Sequence, residues 1–159
     1  MAITSDDIKL YASNNGLGGS ITATELVSNT LHNLFDAIGS DEAVLGDTEY
    51  RCIYVKNTHT TLTLYNASMS ITAATIAPET TLSIGVGTSA INGTEQSVNN
   101  ETTAPTGIAF ESNVDTPISL GDLPPLGTKA VWLKREVTAG AAALSNDTST
   151  ISVSGDTAG

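Results

Sequence analysis

The chain has little of what enzymes and nucleic-acid-binding proteins depend on. Its 159 residues include two His and one Cys, and six Lys and Arg stand against 17 Asp and Glu, which gives a formal net charge of −11. Binding to a phosphate backbone needs clustered basic residues. Here only Lys129, Lys134 and Arg135 lie close together in sequence, with an acid beside them. We therefore predict no nucleic-acid partner.

Patterns of catalysis and metal binding are also missing. The sequence has no glycine-rich phosphate loop, no nucleophile elbow and no His- or Cys-rich metal spacing. Acidic pairs occur at 6–7 and 41–42, with Asp47 and Glu49 nearby. Adjacent acids on loops are usually solvated, and no EF-hand pattern is met. We predict that the protein is not an enzyme and holds no cofactor.

The sequence also predicts no internal disulfide, no membrane span and no secretion signal. Cys52 is alone in a strand-like run, so it cannot form an internal disulfide and is expected to be a small buried hydrophobe. No apolar run approaches the roughly 18 residues that cross a bilayer. Asp6 and Asp7 stand where a secretory signal would be basic and then apolar. We expect synthesis in a cytoplasm and no membrane partner.

Aromatic residues make up only 4 % of the chain, so the core must be mainly Ile, Val, Leu and Ala. A length of 159 residues predicts a single domain over 1–159. Small apolar side chains bury less area each. Such a thin core favours a chain that gains stability from oligomerisation or from docking on a larger body.

What the sequence does contain is a series of strands. Short β-branched or alternating runs between Gly, Pro, Asn and Asp are typical of strands. They occur over residues 8–12, 19–27, 49–57, 62–65, 70–76, 81–86, 107–110, 118–120, 128–137 and 149–154. This spacing predicts an all-β fold, an antiparallel β-sandwich or jelly roll with little helix. We also expect an extended N-terminal arm and a short flexible C-terminal tail at 155–159.

Three details of this pattern can be tested against a structure. The run 49–57 has bulky side chains on both faces, so it is predicted to be a central strand. Residues 28–38 are predicted to form a loop or a single helical turn that places Leu34, Phe35 and Ile38 on the core, and 41–45 a short helical turn. An interior arginine at position 51 or 135 would need a carboxylate partner that the sequence does not identify.

Two segments are candidates for contact with other subunits. Residues 88–105 form the longest polar stretch, and loops longer than roughly 12–15 residues are uncommon unless functional. This stretch is either a subunit-contact loop or a mobile surface loop. Its candidate contact residues are Asn92, Glu95, Asn99, Asn100 and Glu101. The small apolar segment 140–144 is either a buried crossing or a patch that a partner covers.

Several phrases resemble virion structural proteins of tailed bacteriophages. They are AITSDDIKLYAS at 2–13, LFDAI at 34–38 followed by GDTEYRCIYVKN at 46–57, and the late run of SLGDL at 119–123, KAVWLKR at 129–135 and AGAAA at 139–143. The resemblance spans most of the chain. It implies a non-enzymatic β-sandwich protein of the assembled particle, and it implies no catalytic residues.

Small acidic β-sandwich proteins of such viruses often act as decoration or cement proteins, commonly as trimers. The resemblance therefore leads us to expect a cement protein that binds the major capsid protein, forms a homo-oligomer with a trimer favoured, and resides in the virion after assembly in the host bacterial cytoplasm. A neck, tail or baseplate component is the alternative. A third interpretation is a carbohydrate- or cell-surface-binding module, which would need Trp132 exposed together with Tyr50 or Tyr54. We expect these to be core residues.

Overall fold

A computed structural model of the chain describes residues 1–28, 30, 32–144 and 147–157. Nearly all of its regular structure is strand. The strands are β1 (Ile8–Ser13), β2 (Gly18–Gly19), β3 (Ile21–Glu25), β4 (Asp47–Asn57), β5 (Leu64–Ala73), β6 (Thr80–Val86), β7 (Glu95–Ser97), β8 (Ile118–Leu123), β9 (Thr128–Val137) and β10 (Thr150–Thr157), and a short helix α1 (Ser40–Leu45) precedes β4. The predicted all-β class is confirmed.

The strands form two antiparallel layers and a small ribbon. The first layer has the order β3-β1-β4-β9-β6, the second has the order β10-β5-β8, and β2 pairs with β7. Strand β4 lies in the middle of the larger sheet, as its two bulky faces predicted. The sandwich is therefore confirmed, while the jelly-roll alternative stays a prediction.

The main core lies between the two layers and is aliphatic, as the low aromatic content required. The larger sheet contributes Ile53 and Val55 from β4, and the smaller sheet contributes Met69 and Ile71 from β5. These four side chains are at most 1 % exposed. Face-to-face packing of two sheets through alternating inward residues is the ordinary geometry of a sandwich.

The outer face of the larger sheet is also buried. Cys52, Tyr54, Ala130 and Trp132 form a second cluster there, on the opposite face of β4 and β9 from the main core. The side chains that cover this cluster come partly from the larger sheet itself and partly from the connection between β6 and β8. They are Ile21, Tyr50, Val98, Ile108 and Phe110. The long polar stretch therefore contributes to a lid over the central strands.

Several predicted elements differ from the structure. The predicted strand 19–27 is divided between β2, which pairs with β7, and β3 of the larger sheet. The separate strands at 62–65 and 70–76 are one strand, β5, in which a register shift and a positive φ of 50° at Asn66 form a bulge. Residues 107–110 are not a strand, because their apolar side chains pack on the outer face instead of joining a ladder. Strand β10 continues to Thr157, so 155–157 are not a free tail, and 158–159 lie outside the described residues.

The segments before β4 follow the prediction more closely. The helical turn appears as α1, and Leu34 and Phe35 pack against the main core, whereas Ile38 is half-buried and joins neither cluster. The carbonyl of Asp7 accepts hydrogen bonds from the Thr58 backbone (2.6 Å) and hydroxyl (2.9 Å). The chain is thus fastened to the sandwich from Asp7 onward.

Candidate functional site

A cluster of charged side chains is buried at one end of the main core. Glu49 and Arg51 lie on the inward face of β4 because side chains two residues apart on a strand point the same way. Arg135 of β9 is the direct cross-strand partner of Glu49 in the antiparallel register. A carboxylate oxygen of Glu49, Oε2, accepts a hydrogen bond from Arg135 Nη2. The sequence predicted that an interior arginine would need a carboxylate partner. For Arg135 this partner is its cross-strand neighbour, Glu49.

The segment before α1 covers this cluster. The Phe35 ring lies under both guanidinium groups, at 5.4 Å from that of Arg51 and 4.9 Å from that of Arg135. The backbone carbonyl of Asp36 accepts a hydrogen bond from Arg135 Nη1 at 2.7 Å. The Asp36 carboxylate is 3.5 Å from Arg135 and 3.9 Å from Arg51. Cation–π contact and charge pairing together hold the 34–36 segment on the sandwich.

Glu101, one of the predicted contact residues, closes the other side of the cluster. Its carboxylate accepts a hydrogen bond from Arg51 Nη2 at 2.6 Å. Its backbone carbonyl accepts a hydrogen bond from the Tyr50 amide at 2.7 Å, beside the part of β4 that extends past β1. The side chain of Glu101 is 42 % exposed, so one surface of it still faces solvent.

Burial determines the electrostatics of Glu49, whose side chain is 1 % exposed. Loss of hydration raises the pKa of Glu49, and the attraction of Arg135 and Arg51 offsets part of that rise. Its second oxygen, Oε1, accepts no hydrogen bond from the described part of the chain and lies 3.8 Å from Arg51 Nη2. The cluster joins four chain segments and has the geometry of a structural clamp.

Glu95, another predicted contact residue, is used inside the chain. It is 3 % exposed, and its carboxylate accepts hydrogen bonds from the Thr88 hydroxyl at 2.8 Å and the Ser89 amide at 2.9 Å. Burial alone would raise the pKa of Glu95, but these hydrogen bonds outweigh it and lower the pKa to about 2. Its amide donates to the Tyr54 hydroxyl at 3.0 Å. Glu95 therefore anchors the loop to the outer face.

The three asparagines of the predicted contact set lie at the surface. Asn92, with a φ of 61°, exchanges two hydrogen bonds of 2.9 Å with the backbone of Thr128, one of them through its side chain. Asn100 accepts hydrogen bonds from Thr102 and Thr103, and Asn99 is exposed. Contacts within the chain hold this stretch at Asn92, Glu95 and Glu101. Its subunit contacts stay a prediction.

An apolar patch lies at the surface beside α1. Residues 142–144 are exposed, which excludes the buried crossing predicted as one alternative. With the 76–79 turn they line a shallow cleft of about 320 Å³. We call its exposed apolar members Ile76, Pro78, Ala142, Ala143 and Leu144 the apolar patch. The neighbouring Val44 and Leu45 of α1 are 67 % and 78 % exposed, and the Ala43 carbonyl accepts hydrogen bonds from residues 140 and 141.

The three aromatic side chains that the carbohydrate-binding interpretation requires do not form an exposed platform. Trp132 and Tyr54 are 0 % and 1 % exposed, as expected for core residues, and Tyr50 is half-buried against Phe110 with ring centroids 5.8 Å apart. Stacking on a glycan requires an exposed aromatic face. These three positions therefore do not support the carbohydrate-binding interpretation.

The groups most able to act as nucleophile or base are also used structurally. Burial raises the pKa of Cys52 to about 12, so its thiol stays protonated. His59 Nδ1 accepts hydrogen bonds from the backbone amides of Thr61 and Leu62, at 3.2 and 3.0 Å. Each of these side chains thus serves the fold where it stands.

No helix within the described residues is long and apolar enough to cross a membrane. Comparisons with protein-family models, with curated proteins and with solved structures gave no match.

Proposed function

We propose that this chain is a structural component of a tailed-bacteriophage particle, and specifically a capsid decoration (cement) protein that stabilises contacts between major capsid subunits. The proposal begins from the resemblance of its sequence phrases to virion structural proteins. The observation that carries it is the apolar patch at the surface of an acidic sandwich. Exposed apolar surface of this kind is typical of a protein–protein contact.

The charge of the chain supports a station outside the packaged DNA. A formal net charge of −11 repels a polyanion at close range, whereas an outer position separates the two. The fold also suits a holding role. Its larger sheet carries buried clusters on both faces, and the Glu49–Arg135 pair belongs to a charged cluster that joins four chain segments. A rigid body loses little entropy when it docks.

The partner in this proposal is the major capsid protein, and the chain acts as a homo-oligomer with a trimer favoured. Light scattering on the purified protein should then give the mass of three 16.3 kDa chains. A neck, tail or baseplate component is the alternative, with tail or neck proteins as partners. The two differ in how many copies a particle carries, because rings close at a small fixed number of subunits.

A binding experiment with capsid shells that lack the chain tests the role of the apolar patch. Wild-type protein should bind, and Ile76→Asp and Leu144→Asp should each weaken binding at least tenfold, since burying one such side chain contributes about 1.5–3 kcal/mol. Leu126→Asp is the matched control, because Leu126 is 52 % exposed and does not line the cleft. Equal binding by all three variants would contradict the assigned surface.

A further inference from the structure

Three carboxylates converge where α1 meets the central strand. Glu42 belongs to α1, while Asp47 and Glu49 belong to the start of β4. Each offers one oxygen, and these three atoms lie within 4.8 Å of one another. Gly46, with a φ of 80°, turns the chain between the two elements, and its amide bonds the Glu42 carbonyl at 2.8 Å. This turn brings Glu42 back beside Asp47.

A second observation concerns the buried carboxylate of this group. Glu49 is 1 % exposed, yet its Oε1 atom accepts no hydrogen bond within the described residues. Arg51 Nη2 lies 3.8 Å from this atom, beyond hydrogen-bond distance, and is already bound to Glu101 at 2.6 Å. A buried charged acceptor without a donor is unfavourable, because hydration has been removed and no hydrogen bond replaces it.

The charge count around Glu49 is unbalanced in the same direction. Five carboxylates face two guanidinium groups, so three negative charges are left over; the acids are Asp36, Glu42, Asp47, Glu49 and Glu101, and the bases are Arg51 and Arg135. Both guanidinium groups form their ion pairs with Asp36, Glu49 or Glu101. No ion pair within the described residues joins Glu42 or Asp47 to a basic side chain.

We propose that Glu42, Asp47 and Glu49 bind a divalent cation, and that the cation is Ca²⁺. The donors are all carboxylate oxygens, which suit a hard cation, and no His or Cys joins the group as Zn²⁺ would favour. Ca²⁺ tolerates irregular geometry and completes its shell with water, which fits two half-buried acids and one buried acid. The Glu49 carboxylate would bridge the cation and Arg135.

Binding would tie α1 to the central strand. The Ala43 carbonyl of α1 accepts hydrogen bonds from residues 140 and 141. The cation would therefore also hold in place the segment that leads into the apolar patch. The site does not depend on the proposed function. If the capsid-binding experiment fails, the Ca²⁺ proposal is unaffected. If no Ca²⁺ binds, the proposed function is unaffected.

The test is urea unfolding of metal-stripped protein, followed by the fluorescence of the single Trp, Trp132. The solution contains CaCl₂, MgCl₂ or NaCl at equal ionic strength. With Ca²⁺ at a hundred times its Kd, the folded-to-unfolded ratio should rise about a hundredfold. Titration calorimetry should give one Ca²⁺ per chain.

Single substitutions test which residues bind the cation. Asp47→Asn and Glu42→Gln should lose it, and glutamine can still accept the Gly39 amide bond that caps α1. Asp41→Asn, an exposed acid on the same helix, should keep it. The proposal would be overturned if the wild type showed no Ca²⁺ response or an equal response to Mg²⁺. It would also be overturned if both site variants kept the Ca²⁺ response or if Asp41→Asn lost it.

Discussion

The buried clamp gives the sharpest prediction about stability. Replacing Arg135 by Met keeps an extended apolar stem of similar length but removes the only hydrogen-bond donor to the Glu49 carboxylate in the described structure. Glu49 would stay buried, with Arg51 Nη2 at 3.8 Å as its remaining charge partner. The contact of residue 135 with Phe35 and its hydrogen bond to the Asp36 carbonyl would also be lost.

The expected loss follows from the cost of a stranded charge. Breaking one side of a buried ion pair typically destabilises a protein by about 3–5 kcal/mol. Since whole domains are stable by about 5–15 kcal/mol, this is a large fraction of the total. At a urea m-value of about 2 kcal/mol/M, the unfolding midpoint should fall by about 1.5–2.5 M.

Trp132 reports unfolding, because it is the single Trp of the chain and is 0 % exposed in the fold. EDTA in every sample keeps divalent cations out of the comparison. Lys9→Met is the control: the Lys9–Glu25 pair is 3.4 Å apart and well exposed, so its loss should cost about 0–1 kcal/mol.

A double variant separates charge from packing. Glu49→Leu combined with Arg135→Met removes both charges, and replacing a buried pair by apolar groups is often neutral or stabilising. It should therefore recover most of the loss. The reasoning fails if the double variant is as unstable as Arg135→Met alone, or if Arg135→Met costs no more than Lys9→Met.

Three further predictions concern the outer face of the sheet. The pKa of Glu95 is about 2 in the folded chain, against an ordinary value of 4.5. Its stabilising effect is therefore complete above about pH 4.5 and is lost as the pH falls towards 2. Urea unfolding across this range should show that the free energy of unfolding depends less on pH in Glu95→Gln than in the wild type. Gly85→Ala should cost about 1–3 kcal/mol in thermal unfolding, because its Cβ would meet the Ile108 side chain and lie 2.8 Å from the Ala109 carbonyl. Cys52 should resist a thiol reagent until urea unfolds the chain, and rapid native labelling would show that its burial is wrong.

Much of the fold can be predicted from the sequence because strand patterns are local. The runs 49–57 and 128–137 became β4 and β9, since the alternation of side chains along a strand is visible in the local sequence. The bulge at Asn66 was missed because polar residues in the middle of a strand look like a turn. Residues 107–110 look like a strand locally, but their apolar groups serve the outer face.

The charged clamp could be predicted only in part. Glu49 and Arg51 are two residues apart on one strand, so their shared face was visible in the sequence. The pairing with Arg135 depends on the register between β4 and β9, and the contacts of Asp36 and Glu101 depend on how two long connections fold back. Glu95 was predicted to lie in a surface loop because its neighbours are polar. Its burial is stabilised by hydrogen bonds from Thr88 and Ser89, which are close to it in sequence.

The number of copies of this chain in purified particles tests the proposed role most directly. Quantitative mass spectrometry would measure the chain relative to the major capsid protein of the same particle. A cement protein should be present on the order of hundreds of copies, in fixed proportion to the coat subunits of a symmetric shell. About a dozen copies or fewer, as in a ring, or complete absence from the capsid, would contradict the account.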